Sequence, residues 1–521
     1  MKKRFISLFI CFILVFSTFS MIGCGTNTGD LKVYEEGVTT YTVTEKGEPL
    51  PVYSLSYEIM GGNDVMPVGG YYGLYSAGNC LDGNPYPTWI QDKYFEIMQE
   101  IGLNMIVYVP DRNNGYFPLY KKWYELGEKY GIGIFANCLT FEAMVGTRTG
   151  DPLLTEGYKR PTAEELYTLV KRVGFDFKYK SFLGIWAMDE PYANHQLREL
   201  NYLIPLFYNC GLPETIDAYM NSIGYWTGET NVSNTFTGGG WTFDEYYFTG
   251  KSGKTAEGQT FDIPGYLNTG VKMISSTQYP IISAERNDER FSKWFQSLAI
   301  LTDESYKYGA PYWRMMQAGG EFYQANPVPL YPTEGQWMLD YNSALAFGCK
   351  AIQYYELCGD EWHNKNQDGS WAYDKNGMVG VDGKVNQWWY YAKNADKQLK
   401  AIDHVLMHAT NVGMLAHGDQ ASAMLGELRL RDGGTKRIST ESWRQLKSIK
   451  GDDVIVGCFD YKGGTALYVI NSNVEENANA TLKFDDKYRY EVTQRGQMAD
   501  VVGTTIPLTL APGEGAMIVL Y

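Results

Sequence analysis

Between Tyr71 and Cys358 the sequence alternates short apolar runs with segments of helical period. Each run is too brief for a helix and is bounded by polar or glycine-containing residues, the pattern of a strand buried on both faces. The runs fall at Gly70 to Ser76, Asn104 to Val109, Gly133 to Cys138, Phe182 to Met188, Ile216 to Asn221, Lys272 to Tyr279, Pro311 to Gln317 and Ala351 to Glu356. Strands that alternate with helices pair in parallel, and eight of them close a barrel. The intervening segments read as helices. Ile90, Tyr94, Ile97 and Ile101 form one stripe ahead of Gly102, and Phe291 to Tyr308 ends at Gly309. Thr162 with Glu165 makes a capping box before Leu166, Leu169, Val170 and Val173. The predicted fold is therefore α/β, a (β/α)8 TIM barrel over residues 58–410.

After Trp388 a helical stretch runs to about Met407, and from Gly413 the character changes. Alternating segments at Asp453 to Phe459, Thr465 to Ile470 and Ala516 to Tyr521 are separated by glycine and asparagine turns, which predicts an all-β sandwich over residues 411–521. Nothing in it carries a catalytic constellation.

The chain opens with Lys2, Lys3 and Arg4, an apolar core from Phe5 to Phe19, and Met21-Ile22-Gly23-Cys24. That is an export signal over residues 1–23, and its end resembles the lipobox of bacterial lipoproteins, which makes Cys24 the lipidated residue. Residues 24–57 follow as a tether and N-terminal extension, starting with the small polar run Gly25-Thr-Asn-Thr-Gly-Asp30. The expected location is the cell surface, with the membrane touched only through the lipid. A formal net charge of −15 argues against a nucleic-acid partner. Beyond Cys11 and Cys24, six widely spaced cysteines include no C-x-x-C pair, and five histidines form no close cluster, so no zinc or redox motif is indicated. The run Asn364 to Gly369 resembles a calcium loop only faintly, because Lys375 stands where the twelfth-position acid belongs. No cofactor is expected.

Phe182 to Pro191 delivers Asp189 and Glu190 at the carboxyl end of the fourth run, the end of a parallel barrel where chemistry sits. Glu190 is thus a candidate general acid/base, against the alternative of a helix-capping acid. Between Asn221 and Lys272 a long glycine- and aromatic-rich insertion follows the fifth run on the same face, and Trp241 and Tyr246 are candidate stacking groups of a cleft wall.

Asp189-Glu190-Pro191, Gln278-Tyr279-Pro280, Trp313 with Gln317, and Tyr341 to Gly348 leading into Ala351-Ile-Gln-Tyr-Tyr355 together resemble the bacterial (β/α)8 glycoside hydrolases, in particular β-galactosidase-like enzymes. The resemblance covers about residues 58 to 521. It implies hydrolysis of a neutral oligo- or polysaccharide with Glu190 as the acid/base. Related chains often carry Asn before that glutamate; here Asp189 takes the place, and a neighbouring acid favours a proton on Glu190. The strand-seven position that holds the nucleophile in many relatives is Gln317, which cannot form a glycosyl ester. Glu356, Glu321 and Glu285 are the substitutes in the sequence, with Glu356 preferred because a strand end holds a carboxylate better than a loop. A separation of roughly 5 Å from Glu190 would suit retention and roughly 6.5 to 9.5 Å inversion. Tyr108, Asn137, Asn221, Tyr279 and Trp313 complete the expected sugar contacts.

Two other readings stay open at this level. A non-catalytic glycan-binding lipoprotein would explain Gln317. A solute-binding lipoprotein would fit the signal, but such binders use two hinged lobes rather than a barrel with an all-β tail.

Overall fold

A computed structural model describes residues 31–36, 39–44, 50–71, 91–109, 117–147, 150–191, 193–222, 242, 245–254, 258, 260–281, 288–318, 332–357, 377–379, 384–426, 428, 437–438 and 440–521. The eight expected strands are present: β1 (Val68–Tyr71), β2 (Met105–Val109), β3 (Gly133–Asn137), β4 (Phe182–Asp189), β5 (Asp217–Ser222), β6 (Ile274–Thr277), β7 (Tyr312–Gln317) and β8 (Ala351–Tyr355). Each pairs in parallel with the next, and β8 returns to β1, so the sheet is a closed barrel. Described helices between and after them are α1 (Asp92–Glu100), α2 (Phe117–Tyr130), α3 (Leu139–Val145), α4 (Ala163–Val173), α5 (Asn194–Asn209), α6 (Asp288–Tyr308), α7 (Glu334–Ala346) and α8 (Gln387–Leu406). The capping box of α4 forms as its sequence requires, with Thr162 N–H donating to Glu165 Oε2 at 2.7 Å and Glu165 N–H to Thr162 Oγ1 at 3.2 Å.

The barrel strands are apolar on both sides because both sides are covered. One side chain in two points inward, where Tyr71, Phe135, Trp186, Tyr219, Trp313 and Met315 pack as one core. The alternate residues, such as Ile134, Ile185, Met220 and Ile352, pack outward in the core that includes the helices. Residues from the N-terminal extension join the inner core. Tyr57 and Met60 pack with the lumen side chains, and the Tyr57 phenol donates to Asp217 Oδ2 at 2.9 Å at the start of β5. Gly184 in β4 has φ +152°, and a Cβ there would lie 1.8 Å from the Asp217 carbonyl oxygen, so only glycine lets β4 and β5 approach this closely.

The chain then forms β9 (Ala409–His417), β10 (Leu446–Gly451), β11 (Val454–Tyr461), β12 (Gly464–Asn471), β13 (Ala478–Gln494), β14 (Gln497–Leu510) and β15 (Gly515–Leu520). These make one antiparallel sheet in the order β9-β11-β12-β15-β13-β10, with β14 on β13. Its layering is sandwich-like. Ile455, Phe459, Tyr468 and Met517 belong to the core shared with the barrel helices, whereas Val456, Leu467, Leu482 and Ile518 close a second core. Polar contacts lock the junction: Tyr468 OH donates to Asn342 Oδ1 at 2.6 Å, and Asn342 Nδ2 donates to the Gly513 carbonyl at 2.8 Å.

The insertion after β5 differs from expectation at Tyr246. This residue lies in a π-helical turn, Glu245–Thr249, and is fully buried, with its ring 6.1 Å from that of Tyr266. It is core rather than a stacking platform. The antiparallel hairpin Lys251–Lys254 with Thr260–Ile263 follows it.

Candidate active site

Glu190 follows the last residue of β4 and has φ +45°, a conformation that costs a non-glycine residue about 1 kcal/mol and is held here by its neighbours. Its N–H donates to the Asn221 carbonyl at 2.9 Å, and its Oε1 lies 2.6 Å from the hydroxyl of Thr277 at the end of β6. The Asn221 side chain holds Asp189. Asn221 Nδ2 donates to its Oδ1 at 2.9 Å, Ser275 donates to Asn221 Oδ1 at 2.9 Å, and Ser275 in turn meets Tyr219 OH at 2.8 Å and Gln353 Nε2 at 3.1 Å. Asn221 thus holds both acids, Glu190 through its carbonyl and Asp189 through its side chain, while Thr277 adds a contact to the Glu190 carboxyl.

Tyr279 links this pair to a third acid. Burial chiefly, then the charge of Glu190, pushes its phenol well above the usual range; Asp189 and Glu356 add to the effect and Arg314 opposes it. One phenol therefore sits in the field of the carboxylates after β4 and after β8, and stays protonated. Its oxygen is enclosed without a hydrogen-bond partner among the described residues, although the ring itself is only partly covered. Arg290 fixes the backbone here, donating to the Tyr279 carbonyl at 2.8 Å and the Pro280 carbonyl at 3.1 Å. Arg314 belongs to the outside of the barrel: its guanidinium donates to both Asp340 oxygens at 2.9 Å and lies 4.2 Å from the Trp294 ring centre.

The Glu356 side chain is 1% exposed. Ile352 and Tyr354 on β8 face outward, where Tyr354 donates to Asp396 on α8 at 2.7 Å. β8 ends at Tyr355, and the Tyr355–Glu356 peptide is cis. The segment is tied to β1 by Leu357 N–H donating to the Tyr71 carbonyl at 3.0 Å.

Other expected residues divide by depth. Asn137 ends β3, is 2% exposed, and has neither amide atom paired among the described residues. Gln317 ends β7 and is buried, with its carbonyl accepting from Trp337 Nε1 at 2.7 Å. Trp313 is corrected from sugar contact to core: it is 0% exposed, with its ring 6.3 Å from Phe135 and 6.2 Å from Tyr219. It lies four residues before the end of β7, which at about 3.3 Å per residue is roughly 13 Å below the mouth. Asn221 orients Asp189, as its hydrogen bonds show. Tyr108 lies on β2 and its side chain is outside the described residues, as are Glu321, Glu285, Trp241 and Cys24 altogether.

Two residues went unnoticed in the sequence. Glu142 on α3 has its carboxyl raised by burial and then by the charge of Asp189. Its position five residues after Asn137, in the segment that follows β3, was the available signal. Thr277 precedes the Gln278-Tyr279-Pro280 motif and closes a run of three hydroxyl residues, Ser275-Ser276-Thr277.

No protein-family model matches this sequence, and no curated protein does. Solved structures do. The β-galactosidase from Rahnella sp. R3 superposes with a TM-score of 0.52 at 10% identity, over 90% of this chain and 100% of that one. A family 42 β-galactosidase from G. stearothermophilus gives 0.48 at 9% identity over 90% and 99% of the two chains. An endo-β-1,4-mannanase from Thermotoga petrophila gives 0.41 at 9% identity over 87% and 92%. At such identities the first of these likenesses shows a shared fold, the parallel barrel with its all-β companion.

Proposed function

We propose that this protein is a cell-surface glycoside hydrolase that cleaves a neutral oligo- or polysaccharide. In this reading residues 1–23 direct export, Cys24 carries a lipid, and barrel and sheet stand off the membrane on the first, polar part of residues 24–57, whose end packs into the fold. One observation carries the proposal. Glu190 sits just past the carboxyl end of β4, with its carboxyl held by Thr277 at the end of β6, and Glu356 is buried just past the end of β8 across the barrel, so two carboxylates stand at the end of a parallel barrel where chemistry sits. The fold shared with the β-galactosidase from Rahnella sp. R3 supports the same reading.

The chemistry follows from the environments. Glu190, beside Asp189, is disfavoured from ionising and gives its proton to the glycosidic oxygen as the bond to the anomeric carbon breaks. Glu356 meets the electron-poor carbon, by bonding to it or by taking a proton from an attacking water. In the first case water later displaces Glu356 and returns a proton to Glu190. Asn137 and Tyr279 offer unengaged polar groups for sugar hydroxyls.

The test is hydrolysis of a panel of aryl glycosides and plant oligosaccharides by the purified protein and by Glu190→Gln, with product anomers followed by NMR. Turnover that the substitution abolishes supports the proposal, and the first anomer formed assigns retention or inversion. The presence of Gln317 at the end of β7 favours the rival reading of a glycan binder. Saturable binding by both proteins without turnover on any substrate would establish that reading instead.

A further inference from the structure

Thr277 Oγ1 lies 2.6 Å from Glu190 Oε1 and 3.2 Å from the Ser222 carbonyl oxygen. A threonine hydroxyl owns one proton and two lone pairs, so it cannot donate along both contacts at once. Both are satisfied together when the carboxyl carries a proton. Glu190 then donates to Thr277, and Thr277 donates to Ser222. When Glu190 is ionised, the Thr277 proton turns to the carboxylate and leaves the Ser222 carbonyl.

The frame around this hydroxyl is fixed. Glu190 is pinned by its N–H on Asn221, and Ser222 Oγ is held at 2.5 Å from the Ser275 carbonyl and 3.0 Å from Tyr247 OH. Tyr247 OH also meets Ser276 Oγ at 2.9 Å. The hydroxyl of Thr277 can therefore turn while the groups it serves stay in place.

We propose that Thr277 is a positioning residue for Glu190, a hydroxyl that reverses its hydrogen bond to hold the carboxyl in one place in both protonation states. This rests on the reading of Glu190 as the acid/base. Thr277 keeps its own proton throughout; the proton that leaves Glu190 goes to the leaving-group oxygen. Among the described residues, the charged and titratable groups that act on this cluster include Asp189 beside Glu190, Tyr247 from the turn after β5, Tyr279 after β6 and Glu356 after β8, with Glu142 acting on Asp189. The acids favour the protonated carboxyl, and Thr277 supplies a donor to the ionised one.

The experiment compares pH profiles of kcat/KM on an aryl glycoside with a poor leaving group for the unmodified protein, Thr277→Val and Thr277→Ser. Valine keeps the shape and removes the donor, so the alkaline limb should move up by about one pH unit and the plateau should fall about tenfold. Serine should restore both. A valine profile that superimposes on the parent overturns the proposal, as does a serine variant that behaves like valine.

A second readout needs no turnover. In pH-difference infrared spectra, the carboxylic C=O band that Glu190→Gln removes should titrate about one pH unit higher in Thr277→Val. An unmoved midpoint refutes the role of Thr277. A moved midpoint in a protein without turnover supports that role and discards the hydrolase reading.

Discussion

Asp396 on α8 is expected to contribute less to stability as pH rises from about 4 to 7. Its Oδ1 accepts from Tyr341 OH and Tyr354 OH, each at 2.7 Å, while its Oδ2 has no partner among the described residues. Burial outweighs the two phenol donors and pushes the carboxyl from 3.8 up to about 7. A raised folded-state pKa in an acid means that the folded chain binds a proton the unfolded chain has already lost. The contribution is fully present below about pH 4 and is lost as pH climbs through 7. At about 1.36 kcal/mol per unit, the change over the window is on the order of 4 kcal/mol. Asp396→Asn keeps an oxygen for both phenols and removes the charge. Denaturant midpoints at pH 4, 5, 6, 7 and 8 should show the parent losing stability relative to the variant across pH 4 to 7, with the difference levelling above 7. Parallel curves for the two proteins would refute the reasoning, because then Asp396 ionises alike in both states.

Other substitutions follow from the packing. Trp313→Phe should lower the thermal midpoint, consistent with a cost of about 1 to 3 kcal/mol for shrinking a buried ring, and leave the KM for any substrate within twofold. A tenfold rise in KM would return Trp313 to the sugar site. Gly184→Ala should abolish soluble expression, since its Cβ meets a backbone oxygen at 1.8 Å; a soluble variant with parental stability would contradict the β4–β5 approach. Tyr57→Phe removes the donor to the buried Asp217 and should cost about 1 to 3 kcal/mol in denaturant unfolding, and an unchanged midpoint would show that the floor does not depend on that bond.

The barrel was legible because burial on both faces leaves a run of apolar residues that only a short strand can use; each of the eight runs overlaps a strand, although the first, Gly70 to Ser76, shares only Gly70 and Tyr71 with Val68–Tyr71. Strand ends were less so. The sixth run was read as Lys272 to Tyr279, yet the strand is Ile274–Thr277, since pairing with neighbours rather than composition decides where a ladder stops. Depth along a strand was the main obstacle at the site. Trp313 and Gln317 share the inner face, but one lies in the packed interior and the other at the end. Glu356 is legible as an acid at the end of the eighth run, but its burial is not. Glu142 and Thr277 carry no motif; only the convergence of β3, β4 and β6 brings them to the acids.

The pairing of Glu190 with Glu356 is tested most directly by leaving-group dependence. Glu190→Ala should lose about 10² to 10⁴-fold in kcat/KM on a glycoside with a poor leaving group and stay within about tenfold of the parent on a dinitrophenyl glycoside, which departs without a proton. Glu356→Ala should lose both activities. A Glu356→Ala variant that hydrolyses either substrate at the parental rate would contradict the account and send the search for the second carboxylate elsewhere.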